Sequence, residues 1–312
     1  MSDSPRAGDH ARAGRAAQSA AAHVAHPLRY ALPTFLLAGL CLSSLDATAK
    51  WLVRDHPVLV VVWARYVGQM LVVTPYAWHR AGHAFWRTRH PWLQLLRSAF
   101  LFLATVGFFT GLRYLPLAEA SSITFMAPMI VVALSLPILG ERPTQARIVA
   151  SLAGFAGILL LVRPGSAVLH PAVLLLLLTA LFNALYQLYT RKLRDENPHA
   201  LLFYSALVGA VGLTLVVPFL LEEASIGWRD GGLLLFSGLL AGLGHGFMIT
   251  AYSRAPAAML APFTYLQILW ATMFGWLLFG QHPDRWSAAG MLIVAGSGVA
   301  LALWERRRMR LI

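Results

Sequence analysis

Charge is scarce in this chain. Asp, Glu, Lys and Arg make up 12% of its 312 residues, about half the load of a soluble domain. Cysteine occurs once, as Cys41 within an apolar run, so no intramolecular disulfide can form. The patterns CxxC, HExxH and GxSxG are missing, so the common metal and nucleophile signatures are absent. No metal site, cofactor or catalytic residue is expected. The first 26 residues, MSDSPRAGDHARAGRAAQSAAAHVAH, have no apolar core of the kind a cleavable secretory signal needs. Residues 1–29 are read as a disordered cytoplasmic tail.

Apolar side chains dominate instead, at 58%. Runs of about 20 apolar residues, the length that crosses roughly 30 Å of hydrocarbon, recur along nearly the whole chain. They place helices at 31–53, 58–78, 93–112, 117–139, 146–162, 171–190, 199–219, 231–252, 257–279 and 286–304. Continuous apolar runs without alternation exclude strands. The expected fold is therefore an all-α polytopic membrane protein with ten transmembrane helices, whose constant partner is the lipid bilayer, as a monomer or homodimer.

The net charge of +12 is spread over short connectors and the two ends, which argues against a nucleic-acid surface. With the N-terminus inside, 17 of the 25 Lys and Arg residues fall on inner connectors and ends, 5 on outer connectors, and Lys50, Arg65 and Arg97 within spans. That bias puts both termini in the cytoplasm. The basic end after residue 305 is read as a cytoplasmic tail (306–312).

The fourth and ninth runs superimpose without a gap. LPLAEASSITFMAPMIVVALSLPILGERP ends at Pro143 and APAAMLAPFTYLQILWATMFGWLLFGQHP at Pro283; Pro116, Ala118, Thr124, Gly140 and Pro143 match Pro256, Ala258, Thr264, Gly280 and Pro283. Two repeats follow, at 30–165 and 166–305, each with five spans. An odd number per repeat forces the copies into opposite senses in the membrane, the arrangement of many secondary transporters, whose substrate sites lie near mid-membrane.

The first copy, RYLPLAEASSITFMAPMIVVALSLPILGERPTQARIVASLAGFAGILLLVRPG, resembles the EamA family of the drug/metabolite transporter superfamily. The resemblance rests on Tyr114, Leu115, Pro116, Leu117 and Ala118, on Pro128, on Gly140, Glu141 and Arg142, and on Gly154, Gly157, Arg163, Pro164 and Gly165. In the second copy Gln281 and His282 replace Glu-Arg. The resemblance implies a ten-helix inverted-repeat carrier of a small metabolite in a bacterial inner membrane. Export of amino-acid-like or metallophore-type products is the leading expectation. Uptake of a vitamin or nucleoside-like cofactor such as riboflavin or S-adenosylmethionine is the alternative, and a membrane-embedded enzyme the remote one.

Candidate substrate or coupling residues are the polar groups inside spans. Asp46 and Lys50 are four residues apart, on one helix face. Asp46 precedes the first outer connector by about eight residues and Arg65 follows it by about eight, so both lie about 12 Å below that surface. An isolated charge there costs at least about 2.5–3.5 kcal/mol, so the three are expected to pair, either as a brace between helices or facing a cavity. Positions 186 and 205 hold Tyr and Ser, so no second cluster is expected to balance the first. Asn183, Tyr186 and Gln187 share a face of the sixth span; Tyr265, Gln267 and Trp270 on the ninth suit a planar ligand. His245, among Gly242, Gly244 and Gly246, reads as a packed histidine or a relay. Pro128 and Pro262 each remove a backbone hydrogen bond and can kink or gate their helices.

Overall fold

The computed structural model describes residues 7–140, 144–162, 170–193, 195–221, 226–254, 260 and 263–309, with the backbone alone for 7–29. Among them there are helices and no strand. The helices are α1 (Ala7–Leu52), α2 (Val58–Ala81), α3 (Pro91–Gly111), α4 (Leu117–Thr124), α5 (Ala127–Leu139), α6 (Gln145–Val162), α7 (Ala172–Lys192), α8 (Pro198–Thr214), α9 (Val217–Leu221), α10 (Trp228–Arg254), α11 (Leu266–Phe279) and α12 (Arg285–Met309). Helix α1 begins inside the stretch expected to be a disordered tail. That stretch is rich in alanine, the residue with the highest helix propensity.

Local chemistry sets the boundaries. Proline caps or opens α2, α3, α4 and α8 as Pro57, Pro91, Pro116 and Pro198, where its missing N–H costs nothing. The Asn197 side chain accepts from the His199 amide at 2.9 Å to cap α8. Gly140 and Gly280 end α5 and α11 with φ of 71° and 63°, a left-handed cap that other residues rarely adopt.

Among the described residues, six stretches are long and apolar enough to cross a membrane: Tyr30–Leu52, Val58–Ala84, Pro91–Gly111, Leu117–Leu139, Ala172–Lys192 and Trp228–Met248. Four shorter apolar helices accompany them, at Gln145–Leu161, Pro198–Thr214, Leu266–Phe279 and Arg285–Leu301. The outward surface is greasy: Leu71, Leu174, Phe219, Leu235 and Leu292 are all largely exposed. Such a surface suits acyl chains rather than water.

The packing repeats itself. Helix α1 lies along α10 and against α11; with the 140-residue shift, α7 lies along α3 and against α4 and α5. Helices α2 and α8 pack on each other, as do α6 and α12. Equivalent corners sit at opposite ends of the molecule. At the end where α1 turns into α2, His56 Nε2 meets Asp230 Oδ2 at 2.9 Å. At the other end, Glu196 accepts from Thr88 Oγ1 at 2.8 Å and from the Arg89 amide at 3.1 Å. Helices α1 and α7 therefore run in opposite directions. Most contacts join one repeat to the other, so the physical bundles are mixed. One holds α1, α2, α10 and α11; its counterpart holds α7, α8, α3, α4 and α5.

Close crossings hold each bundle together. A methyl added at Gly238 on α10 would stand 2.6 Å from Gly68 Cα on α2, so the backbones touch as in small-residue membrane crossings. Gly212 on α8 has nothing within 4 Å of an added methyl. Gly238→Ala is expected to destabilise by about 1–3 kcal/mol through overpacking, while Gly212→Ala is neutral or stabilising. Thermal unfolding of both purified variants checks the contrast.

Candidate functional site

Lys50 does not pair with Asp46. Its ammonium donates to Leu112 O at 2.8 Å, the carbonyl of the residue that caps α3, and to Leu115 O at 2.6 Å in the connector that follows. The last turn of a helix leaves its carbonyls without internal partners and carries partial negative charge, so a buried cation is satisfied there. Lys50 is 4% exposed, and it ties one bundle to the other at the Pro57 end. The Leu117 amide reinforces that junction by donating to Gln281 Oε1 at 3.2 Å. The expected three-way pairing is replaced by this arrangement because the carbonyls are nearer to hand for a long, flexible side chain.

Arg65 is buried at 5% exposure. Its guanidinium lies over the Tyr66 ring, 4.4 Å from the centroid, and its Nη1 has no hydrogen-bond partner. Its charge reaches Asp46 on α1, Tyr66 beside it and His245 on α10. Asp46 is half-buried and takes no hydrogen bond among the described residues. His245 Nδ1 lies 2.8 Å from Ala241 O, which places a proton on Nδ1 and leaves Nε2 free. The Tyr66 hydroxyl donates to Thr105 Oγ1 at 3.0 Å, since the Thr105 proton is given to Leu101 O. One turn along α2, Gln69 is fully buried with neither carboxamide atom partnered. Asp46, Arg65, Tyr66, Gln69 and His245 thus gather polar groups from three helices with unused hydrogen-bonding capacity.

A second cluster also forms, which overturns the expectation of none. Arg97 on α3, 1% exposed, donates to Thr190 Oγ1 at 3.2 Å, to Ser205 Oγ at 2.9 Å and to Leu201 O. Its guanidinium is 5.1 Å from the Tyr186 ring centroid, and Tyr186 is in electrostatic reach of Tyr66. Residues 186, 190 and 205 are the 140-shifted partners of Asp46, Lys50 and Arg65. The arginine that completes the set comes from α3 rather than from α8, and for that reason the one-to-one comparison of positions missed it. Tyr66, Gln69 and Arg97 were the functional candidates not singled out; Arg97 was signalled by being the third basic residue inside a span.

The remaining candidates divide. Gln187 is exposed and donates to Asn183 Oδ1 at 3.3 Å along the same helix, so only Tyr186 of that trio joins the interior network. Tyr265 packs its ring 5.4 Å from that of Phe125, and a methyl at Gly298 would collide with its ring at 1.8 Å. Phe125 is its 140-shifted partner, so the interruptions between α4 and α5 and before α11 meet ring to ring. Gln267 and Trp270 lie on Gly39 of α1, each 3.9 Å from an added methyl. Pro128 falls in the first turn of α5, just after the break at Phe125 and Met126; Pro262 lies outside the described residues. A cavity of about 200 Å³ between α2, α8 and α10 is lined mainly by Val72, Tyr76, Leu202, Gly242 and Phe247 and holds none of the candidates.

The EamA-like transporter family matches the chain twice, over residues 29–163 and 170–304. The chain belongs to that family. Its members and this chain's named relatives are transporters, not enzymes. The S-adenosylmethionine uptake transporter of Rickettsia prowazekii is 25% identical over 88% of this chain and 93% of its own length. The riboflavin transporter of Rhizobium johnstonii is 28% identical over 88% and 91%. The pseudopaline exporter CntI of Pseudomonas aeruginosa is 28% identical over 86% and 94%. A crystal structure at 19% identity superimposes with a TM-score of 0.65, covering 90% of this chain and 99% of the other, and so shares the fold. The protein is a polytopic membrane transporter for a small molecule.

Separate roles for Lys50 and Asp46 are testable. Lys50→Met removes two charge-assisted hydrogen bonds and is expected to lower stability by about 2 kcal/mol. Asp46→Asn is expected to cost less than half of that. Denaturation of the two variants in detergent measures the difference; equal losses would restore the paired reading.

Proposed function

We propose that this EamA-family protein is a ten-span carrier, set in the bacterial inner membrane with both termini in the cytoplasm, that moves small zwitterionic or anionic metabolites by alternating access. The observation that carries this reading is Arg65: a guanidinium sealed in a membrane interior, with one nitrogen unpartnered. A buried cation with spare donors is costly unless a ligand completes it, and a guanidinium fork matches a carboxylate or phosphate. Asp46 and His245 beside it offer an acceptor to the ammonium of a zwitterion. The antiparallel repeats support alternation, because each end of the bundle repeats the construction of the other.

Two bundles that rock against each other across α2 and α8 would open the interior to one side at a time. Such a carrier moves cargo in whichever direction its gradients favour, and relatives named for uptake and for export align over similar lengths. S-adenosylmethionine carries an amino-acid head group that Arg65 and Asp46 can hold, whereas neutral riboflavin gives the guanidinium nothing to pair with.

Counterflow in proteoliposomes tests the assignment with labelled S-adenosylmethionine and riboflavin as probes. Exchange of the zwitterion in preference to the neutral vitamin is expected. Arg65→Gln should raise the half-saturating concentration about 30-fold, equivalent to about 2 kcal/mol. Riboflavin exchange that survives Arg65→Gln unchanged would turn the reading towards neutral cargo.

A further inference from the structure

Among the described residues, Arg97 is the largest side chain sealed from solvent. Its partners Thr190, Ser205, the Leu201 carbonyl and the Tyr186 ring are all neutral. Among the described residues no carboxylate is paired with it. Arg97 Nε has no hydrogen-bond partner, and Gln94 Oε1, one turn away on α3, has none either. A charge buried in this way without a counter-ion is unfavourable on its own.

The position is as informative as the missing charge. Arg97 lies six residues into α3 and Arg65 seven into α2, each about 10 Å from the end at which its helix starts. Those starts are at opposite ends of the molecule. The two guanidiniums therefore occupy matching depths on either side of the middle, about 10 Å apart along the axis of a bundle roughly 30 Å thick. Each lies on a tyrosine face, Arg65 on Tyr66 and Arg97 on Tyr186, and the two tyrosines are in electrostatic reach of each other.

We propose that Arg97, with Gln94, Thr190 and Ser205 around it, is a second station for a carboxylate or phosphate group, pseudo-equivalent to the one at Arg65. This rests on the carrier reading above and extends it: the anionic group of the cargo binds at Arg65 while one side is accessible and at Arg97 while the other is. The Tyr66 and Tyr186 rings form the low barrier between the stations, offering π faces to the cargo as it passes.

Anion-dependent thermal stabilisation of the full-length protein in detergent tests the idea. The probes are succinate and inorganic phosphate, compared with neutral succinamide at an ionic strength matched by chloride. A ligand that binds the folded form raises its unfolding temperature in proportion to the logarithm of its concentration. The wild type should be stabilised by both anions and not by succinamide. Arg65→Gln and Arg97→Gln should each keep part of that rise, and the double variant none. Arg97 as a mere brace would lower the baseline temperature of Arg97→Gln while leaving the whole anion-dependent rise in place, which overturns the proposal. A rise abolished by Arg65→Gln alone leaves the first station and overturns the second. No rise in the wild type overturns both. Where Arg97→Gln does not fold, Arg97→Lys keeps the charge without the fork. It should then shift the apparent dissociation constant for succinate by about tenfold in the Arg65→Gln background; an unchanged constant overturns the proposal.

Discussion

A charge held about 10 Å inside hydrocarbon has no water to solvate it, and the protein must supply every compensating dipole. Lys50, Arg65 and Arg97 meet this constraint in three ways. Lys50 is satisfied by backbone, the Leu112 carbonyl at the end of α3 and the Leu115 carbonyl in the connector after it. Arg97 takes hydroxyls and a carbonyl from two helices of the other repeat. Arg65 has a ring face and the field of Asp46, and so is the least completely satisfied. The ordering matters for function, because a group already saturated by its own chain has nothing to offer a ligand. Lys50 is in that position, while Arg65 is in the opposite one.

The same constraint explains why the repeats are interleaved. A five-helix repeat standing alone would turn its polar stripe to lipid. Laying α1 on α10 and α7 on α3 points Asp46 and Tyr186 inwards from opposite senses, and each repeat covers the polar face of the other. In the carrier proposed above, the bodies that move would be the mixed bundles. Between them lie the α2–α8 crossing, where the Tyr66 ring fills the space over Gly209, and the ring pair of Phe125 and Tyr265.

Much of this was legible in the sequence, for physical reasons. Membrane spans announce themselves because hydrocarbon tolerates so few alternatives, and the register of 140 survives in Gly140 and Gly280 because a left-handed cap tolerates little besides glycine. Side-chain partners were less legible. Spacing puts Asp46 and Lys50 on one face, yet a lysine reaches far enough to choose between neighbours, and the carbonyls of Leu112 and Leu115 are 62 and 65 residues away. Arg97 was hidden for a related reason. Duplicated sites keep their place in space while the residue supplying the charge can change helix, and a comparison of equivalent positions then finds serine at 205 where the guanidinium has moved to α3.

That change of helix makes the two ends chemically unequal, with consequences for any carrier built this way. If both ends were identical, the two access states of an empty carrier would be equally populated. Here the Pro57 end is tied by Lys50 and by the Leu117 to Gln281 bond. The position matching Lys50 is Thr190, which spends its hydroxyl proton on Tyr186 O within its own helix and is too short to cross to another bundle. Closure of the Pro57 end therefore has stabilising contacts for which Thr190 provides no equivalent. Each 1.4 kcal/mol of that difference biases the empty populations tenfold. In the carrier proposed above, the Lys50 bonds and the Leu117 to Gln281 bond are contacts that must break before the Pro57 end can open.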